Sequence, residues 1–189
     1  MKQRLQNHIN SISNVGLRIA CDTILDTPGF FTCPASIRFH HAYEGGLLAH
    51  TLEVCDTALY NAAPFREGQI NYDILLTAAL WHDYAKIKEY ELTEKDYGIT
   101  RSVSISSVTE RYSITDYAKR IHHIQGSAIE FTVAVREQGV NESVIEQVQH
   151  CILAHHGRKE WGSPVEPQTL EALILHQADM LSAHYGKTK

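Results

Sequence analysis

Residues 76–90 read LTAALWHDYAKIKEY, and how this stretch is read decides the fold. Its first half is apolar and at helical spacing with Leu75, Ala79 and His82 on one face, which predicts a buried helix over about 71–88. Its second half sets His82 beside Asp83. Side chains of consecutive helical residues diverge by about 100°, so both groups face one point only at a helix end or in a wide pocket. A capped helix end with a solvated aspartate is one reading. A pocket built from several helices at the edge of a core is the other.

Working outward, the same period recurs along the chain. Leu5, Ile9, Ile12 and Ile19 predict an amphipathic helix over 4–20. Pro28-Gly29 and Cys33-Pro34 mark a loop. After Gly45-Gly46, the residues Leu47, His50, Val54, Ala58 and Ala62 follow a helical face up to Pro64, with His50 on or beside the inward stripe. Residues 89–115 are rich in β-branched residues and serine with a turn signal at Lys95–Gly98, which predicts a small β-hairpin or an irregular excursion. Helices resume over about 116–137, ended by Gly139, and over about 142–156, capped by Asn141 and ended by Gly157. A loop, GRKEWGSPVEPQ, leads to a last helix from Thr169 to about Tyr185. The expected fold class is all-α, one helical-bundle domain over 1–189 with the N-terminal helix packed on it.

The 189 residues are 43% hydrophobic, enough for one sizeable core. A net charge of −5 without runs of like charge argues against a tight grip on long nucleic acid, while leaving short phosphate contacts open. Cys21, Cys33, Cys55 and Cys151 are scattered, which suits reduced thiols in a cytoplasmic protein; Cys55 and Cys151 are expected in the core. The N-terminal residues lack the continuous apolar run of a signal peptide. The longest apolar run, ILLTAALW, is too short for a membrane span.

Twelve histidines stand out. His50, His82-Asp83, His122-His123, His155-His156 and Asp179 fall on five different predicted helices. Singly, a histidine on an apolar face is a satisfied core residue, but a carboxylate such as Asp179 within EALILHQADMLSAH needs a partner once buried. Together they form a nitrogen and carboxylate donor set without thiolates, suited to Mn, Fe, Ni, Co, Zn or Mg, and the core of a helical bundle is a natural place for it.

That order (His, His-Asp, His, His-His, Asp) resembles the HD superfamily of metal-dependent phosphohydrolases over about residues 38–184. The stretches FHHAYEGGLLAHTLEV, LWHDYAKIKEY and ILAHHGRKEWGSPVEPQTLEALILHQADMLSA are similar to the HD domain of YhaM-type 3'-5' exoribonucleases. Those enzymes carry an additional oligonucleotide-binding domain, which is not expected within this chain. The resemblance implies an all-helical HD bundle and two divalent ions bridged by Asp83. His50, His82 and Asp179 would complete one site, and His122, His155 and His156 the other. In RIHHIQGSAIEF, alignment on Gly126-Ser127 selects His122, with His123 as the alternate. Ions roughly 3.5–4 Å apart would hold a bridging hydroxide aimed at phosphorus, so the implied activity is hydrolysis of a phosphoester of a nucleotide or short oligonucleotide.

Lys86, one turn after Asp83, is expected to face the substrate phosphate, making Asp83 and Lys86 the candidate catalytic pair. His41 is a candidate to touch substrate or orient a ligand, with His40 turned elsewhere. Arg158 and Lys159 could meet phosphate or simply face solvent. His176 stands either behind a ligand or in a core contact. Tyr84, Tyr90 and Tyr97 suit base stacking or ordinary packing, and His8, His150 and His184 are expected to be structural or at the surface. The competing expectations are a DNA-processing nuclease, because FHHAYEGGLLAHT also resembles the HD-type domain of some relaxases, and a non-catalytic HD-like module. The sequence is compatible with an oligomer.

Overall fold

The computed structural model describes residues 1–93 and 111–185. It is a helical bundle: α1 (Lys2–Asn10), α2 (Val15–Leu25), α3 (Pro28–Thr32), α4 (Gly46–Ala62), α5 (Tyr72–Trp81) and α6 (Lys86–Glu89) precede a β-hairpin. After it come α7 (Asp116–Arg120), α8 (His123–Val135), α9 (Glu142–Ala154), a 3₁₀ turn (Lys159–Trp161) and α10 (Leu170–Tyr185). Strands β1 (Tyr90–Leu92) and β2 (Tyr112–Ile114) pair antiparallel with Glu91 opposite Ser113. The all-α expectation and the small hairpin are therefore both found, while the turn signal at Lys95–Gly98 and Tyr97 lie outside the described residues.

The helix expected over 4–20 is two. Leu5, Ile9 and Ile12 are buried as expected, but Ile19 is 44% exposed. The break at Ser11–Asn14 is stabilised from outside: the Asp73 carboxylate accepts the backbone N–H of Ser13 and of Asn14, both at 2.8 Å. Asn14 in turn caps α2 by accepting from Leu17 N at 3.0 Å. The helix expected over 116–137 is likewise interrupted, at Ile121-His122.

Helix α5 ends earlier than its pattern, at Trp81. Beyond it the amides bond three residues back, Tyr84 to Trp81 at 3.1 Å and Lys86 to Asp83 at 3.0 Å, the tighter winding common at helix ends. Ser127 on α8 caps this turn by accepting from Ala85 N at 3.0 Å. Helix α10 packs along α4 and also meets α5 and α9, so α4, α5, α9 and α10 enclose one end of a core whose largest buried side chains include Trp81, Phe30 and Phe131. Tyr84 packs on Phe30 and Trp81, the packing alternative rather than base stacking. Among the described residues, no helix is long and apolar enough to cross a membrane.

Candidate metal centre

Two helices end in the same local device. His82 closes α5 and His155 closes α9. The last turn of a helix leaves carbonyls without intrahelical partners. Each histidine answers one of them three residues back: His82 Nδ1 lies 2.8 Å from Ala79 O, and His155 Nδ1 lies 2.6 Å from Ile152 O. His156 Nδ1 reaches forward instead, to Trp161 O in the 3₁₀ turn, at 2.7 Å. A carbonyl only accepts, so Nδ1 carries a proton in all three rings and Nε2 is the atom turned toward the cluster. Burial pushes His82 below its ordinary pKa and His156 down to about 4, which leaves those two rings neutral with a lone pair on Nε2.

The Nε2 atoms converge on two carboxylates. His50 Nε2 lies 3.1 Å from Asp179 Oδ1, 3.4 Å from Asp83 Oδ2 and 3.2 Å from His82 Nε2. His82 Nε2 is itself 3.4 Å from Asp83 Oδ2. On the other side of the same aspartate, His123 Nε2 and His155 Nε2 lie 3.4 and 3.7 Å from Asp83 Oδ1. Burial alone would raise Asp83, but the Lys86 ammonium, first, and the surrounding imidazoles hold its carboxyl well below the usual range. Burial likewise opposes ionisation of Asp179, and hydrogen bonding to His50 outweighs it. The two carboxylates conversely draw positive charge onto His50, raising it against the effect of burial.

Glu89 and Ser182 support these rings from behind. Glu89 accepts the His123 backbone N–H at 2.6 Å, and its second oxygen lies 3.0 Å from His123 Nδ1. Ser182 donates to Glu53 at 2.9 Å, so toward His50 Nδ1, also at 2.9 Å, its oxygen accepts. Neither Glu89 nor Ser182 is among the candidates that the sequence pattern marks. The available signal was spacing: each lies three residues after a site residue, Lys86 and Asp179 respectively, on the same helical face.

Asp83 Oδ1, His123 Nε2 and His155 Nε2 are all buried and make no hydrogen bond. Buried polar atoms are rarely left so, and here a carboxylate oxygen and two imidazole nitrogens face one another. Such atoms gathered out of water need a positive centre among them, so the donor set fits divalent metal.

The HD domain family profile matches residues 47–184, which takes in every one of these converging groups. The chain belongs to the HD domain family. Similar proteins include 3'-5' exoribonuclease YhaM of Geobacillus sp. (strain WCH70), 33% identical over 156 residues covering 82% of this chain and 42% of the relative. YhaM of Bacillus pumilus (strain SAFR-032) is 28% identical over 187 residues, 97% of this chain and 53% of the relative. The HD domain here thus spans about half the length of the curated relatives it matches. No solved structure matches the chain significantly. The expectation of an HD-family phosphohydrolase stands on this membership and on the exoribonuclease relatives.

Of the adjacent pair in this HD domain, the structure brings His123, the alternate, up to Asp83, whereas the expectation favoured His122. The reason is the backbone. His122 sits at φ +66°, ψ 150°, immediately before α8, and the chain turns there so that the first helical residue, His123, points inward. Non-glycine residues in this region cost about 1–3 kcal/mol. His122 is half-buried and rests on His123, ring centroids 4.3 Å apart.

Lys86 is buried with Nζ 2.5 Å from Asp83 Oδ2, and Asp83 holds it charged despite burial, raising its pKa. His41 is buried behind His50, with Nε2 3.0 Å from Glu53 Oε2, nearer the orienting than the substrate-touching expectation. His40 does not turn elsewhere but packs its ring 4.7 Å from that of His50. Arg158 is exposed, its guanidinium 5.0 Å over the Trp161 ring. His176 Nδ1 lies 2.8 Å from His155 O, behind the cluster.

Proposed function

We propose that this HD domain hydrolyses a phosphodiester at the end of a short RNA or oligonucleotide, using two divalent ions. The carrying observation is the set of orphaned polar atoms around Asp83 Oδ1. His50, His82, Asp83 and Asp179 would hold one ion, and Asp83, His123, His155 and His156 the other, with His123 in the place first expected of His122. Bound there, the metal would supply Lewis acidity toward the phosphoryl oxygens and make water nucleophilic near neutral pH.

The protein's own groups divide the remaining work. Asp83 presents one oxygen to each side of the cluster, so it sets the spacing of everything bound there. Lys86 stays charged through neutral pH and therefore cannot act as a base; its role is a fixed positive charge for the negative charge developing on phosphate. Glu89, Ser182 and the helix-end carbonyls lock the imidazoles before substrate arrives, so little reorganisation is left for the reaction itself. The relatives named as 3'-5' exoribonucleases support RNA as the substrate class, and the net charge of −5 favours a short one over a long duplex.

The test is to load purified protein with Mn²⁺, measure metal by mass spectrometry and follow a 5'-labelled RNA of a few nucleotides. Two ions per chain and stepwise shortening from the 3' end are expected. Asp83→Asn is expected to lose ions and abolish shortening. Wild-type protein that holds no metal and cleaves no phosphodiester sinks the proposal.

A further inference from the structure

His122 has no place in the proposed ion-holding set, yet the chain keeps it in a backbone region that is essentially reserved for glycine. It is the N-cap of α8 but its side chain makes no capping hydrogen bond, so glycine at this position would do the same backbone work without strain. Strained residues of this kind persist where the side chain has a task. On one side the His122 ring leans on His123, with the His156 ring centroid 6.4 Å away. On the other it borders a cavity of about 220 Å³ lined also by Glu89, Tyr90, Ile114, Ala118 and Lys119. Donor atoms of Glu89, His122 and His123 lie within 4.8 Å of one another, and His123 Nε2 lies 3.4 Å from Asp83 Oδ1, so this cavity begins one residue away from the group around Asp83.

We propose that His122 and this cavity receive the nucleoside attached to the reacting phosphate, an inference that rests on the phosphohydrolase reading. The lining suits that ligand. Tyr90 and His122 are among its lining residues, and aromatic rings of this kind stack any base with little regard to sequence. Ile114 and Ala118 supply an apolar wall, and Lys119, its ammonium 3.0 Å from Asp116 Oδ1, stands at the exposed rim. The volume is below the 300–1,000 Å³ typical of sites for drug-sized ligands, and admits one ring system rather than a chain. The position follows from connectivity: a phosphate held at Asp83 leaves its sugar and base to lie one group away, past His123, where the cavity begins.

The experiment is calorimetric titration of Mn-loaded protein with AMP, together with thermal unfolding and hydrolysis of a labelled dinucleotide in the same samples. His122→Gly is expected to weaken AMP binding by about tenfold, the scale of losing one stacking partner. It is also expected to melt at a higher temperature than wild type, because relief of backbone strain exceeds the extra freedom glycine gives the unfolded chain. His122→Phe, which keeps a flat ring, is expected to retain AMP binding. AMP bound equally by wild type and His122→Gly, or by neither, overturns the proposal, as does a lower melting temperature for His122→Gly. A His122-dependent AMP affinity without any dinucleotide turnover removes the phosphohydrolase reading and leaves the nucleoside site standing.

Discussion

At the scale of single residues, the cluster works because each imidazole has one nitrogen committed elsewhere. His82, His155 and His156 commit Nδ1 to backbone carbonyls that the fold supplies in any case. His50 depends instead on a side chain 132 positions away, Ser182, whose hydroxyl proton is used by Glu53 and whose oxygen is thereby left to accept from Nδ1. Ser182→Ala removes that acceptor without adding bulk. The expected result is an intact fold with ion affinity reduced about 10–100-fold, the usual effect of losing such an orienting partner. Dialysis against a graded chelator measures it, and unchanged affinity means that His50 is oriented by Asp179 and Asp83 alone.

At the scale of elements, the decisive places are where helices stop. Helix α5 stops at Trp81 and α9 at Ala154, and both stops hand a histidine to the cluster. Helix α9 is followed by Gly157 at φ +81°, where an added Cβ would lie 2.4 Å from His176 Cε1. The His176 ring cannot swing away freely, because its Nδ1 holds the carbonyl of His155 at 2.8 Å. Gly157→Ala therefore combines left-handed strain with a clash against a tethered ring. A loss of about 1–3 kcal/mol in unfolding free energy is expected in urea melts, accompanied by lower metal content because His155 and His156 move with the turn. A variant as stable as wild type means that the turn relaxes without cost.

At the scale of the whole molecule, all four cysteines are free and buried. Burial pushes the Cys21, Cys33 and Cys151 thiols from an ordinary 9.0 up to about 12, and Cys55 well above its ordinary value too. Folded and unfolded chains both keep these protons below about pH 9, so they add no pH dependence there. Between about 9 and 12 the unfolded chain releases them and the folded chain does not. Stability is therefore expected to fall as pH rises through that window, by up to about 1.4 kcal/mol per pH unit for each thiol. At pH 7.5 a thiol reagent should modify the native protein only at its unfolding rate, and all four sites at once in denaturant. Rapid labelling of one cysteine in the native state contradicts this burial.

Periodicity alone predicted the helical class, the bounds of α4 and the caps of α9, because those depend on local spacing and on single residues such as Asn141 and Gly157. The ordered His and Asp residues also announced the site: buried charge and imidazole on several apolar faces have few other uses. What local pattern could not contain was decided by contacts across the chain. The Asp73 carboxylate divides the N-terminal helix by accepting two amides about 60 positions away. Glu89 and Ser182 are ordinary surface letters until α8 and α4 are laid against them. The choice between His122 and His123 is the sharpest case. Adjacent identical residues are indistinguishable by composition or spacing, and only the positive φ at the start of α8, where Glu89 from a distant element accepts the His123 amide, determines which ring meets Asp83.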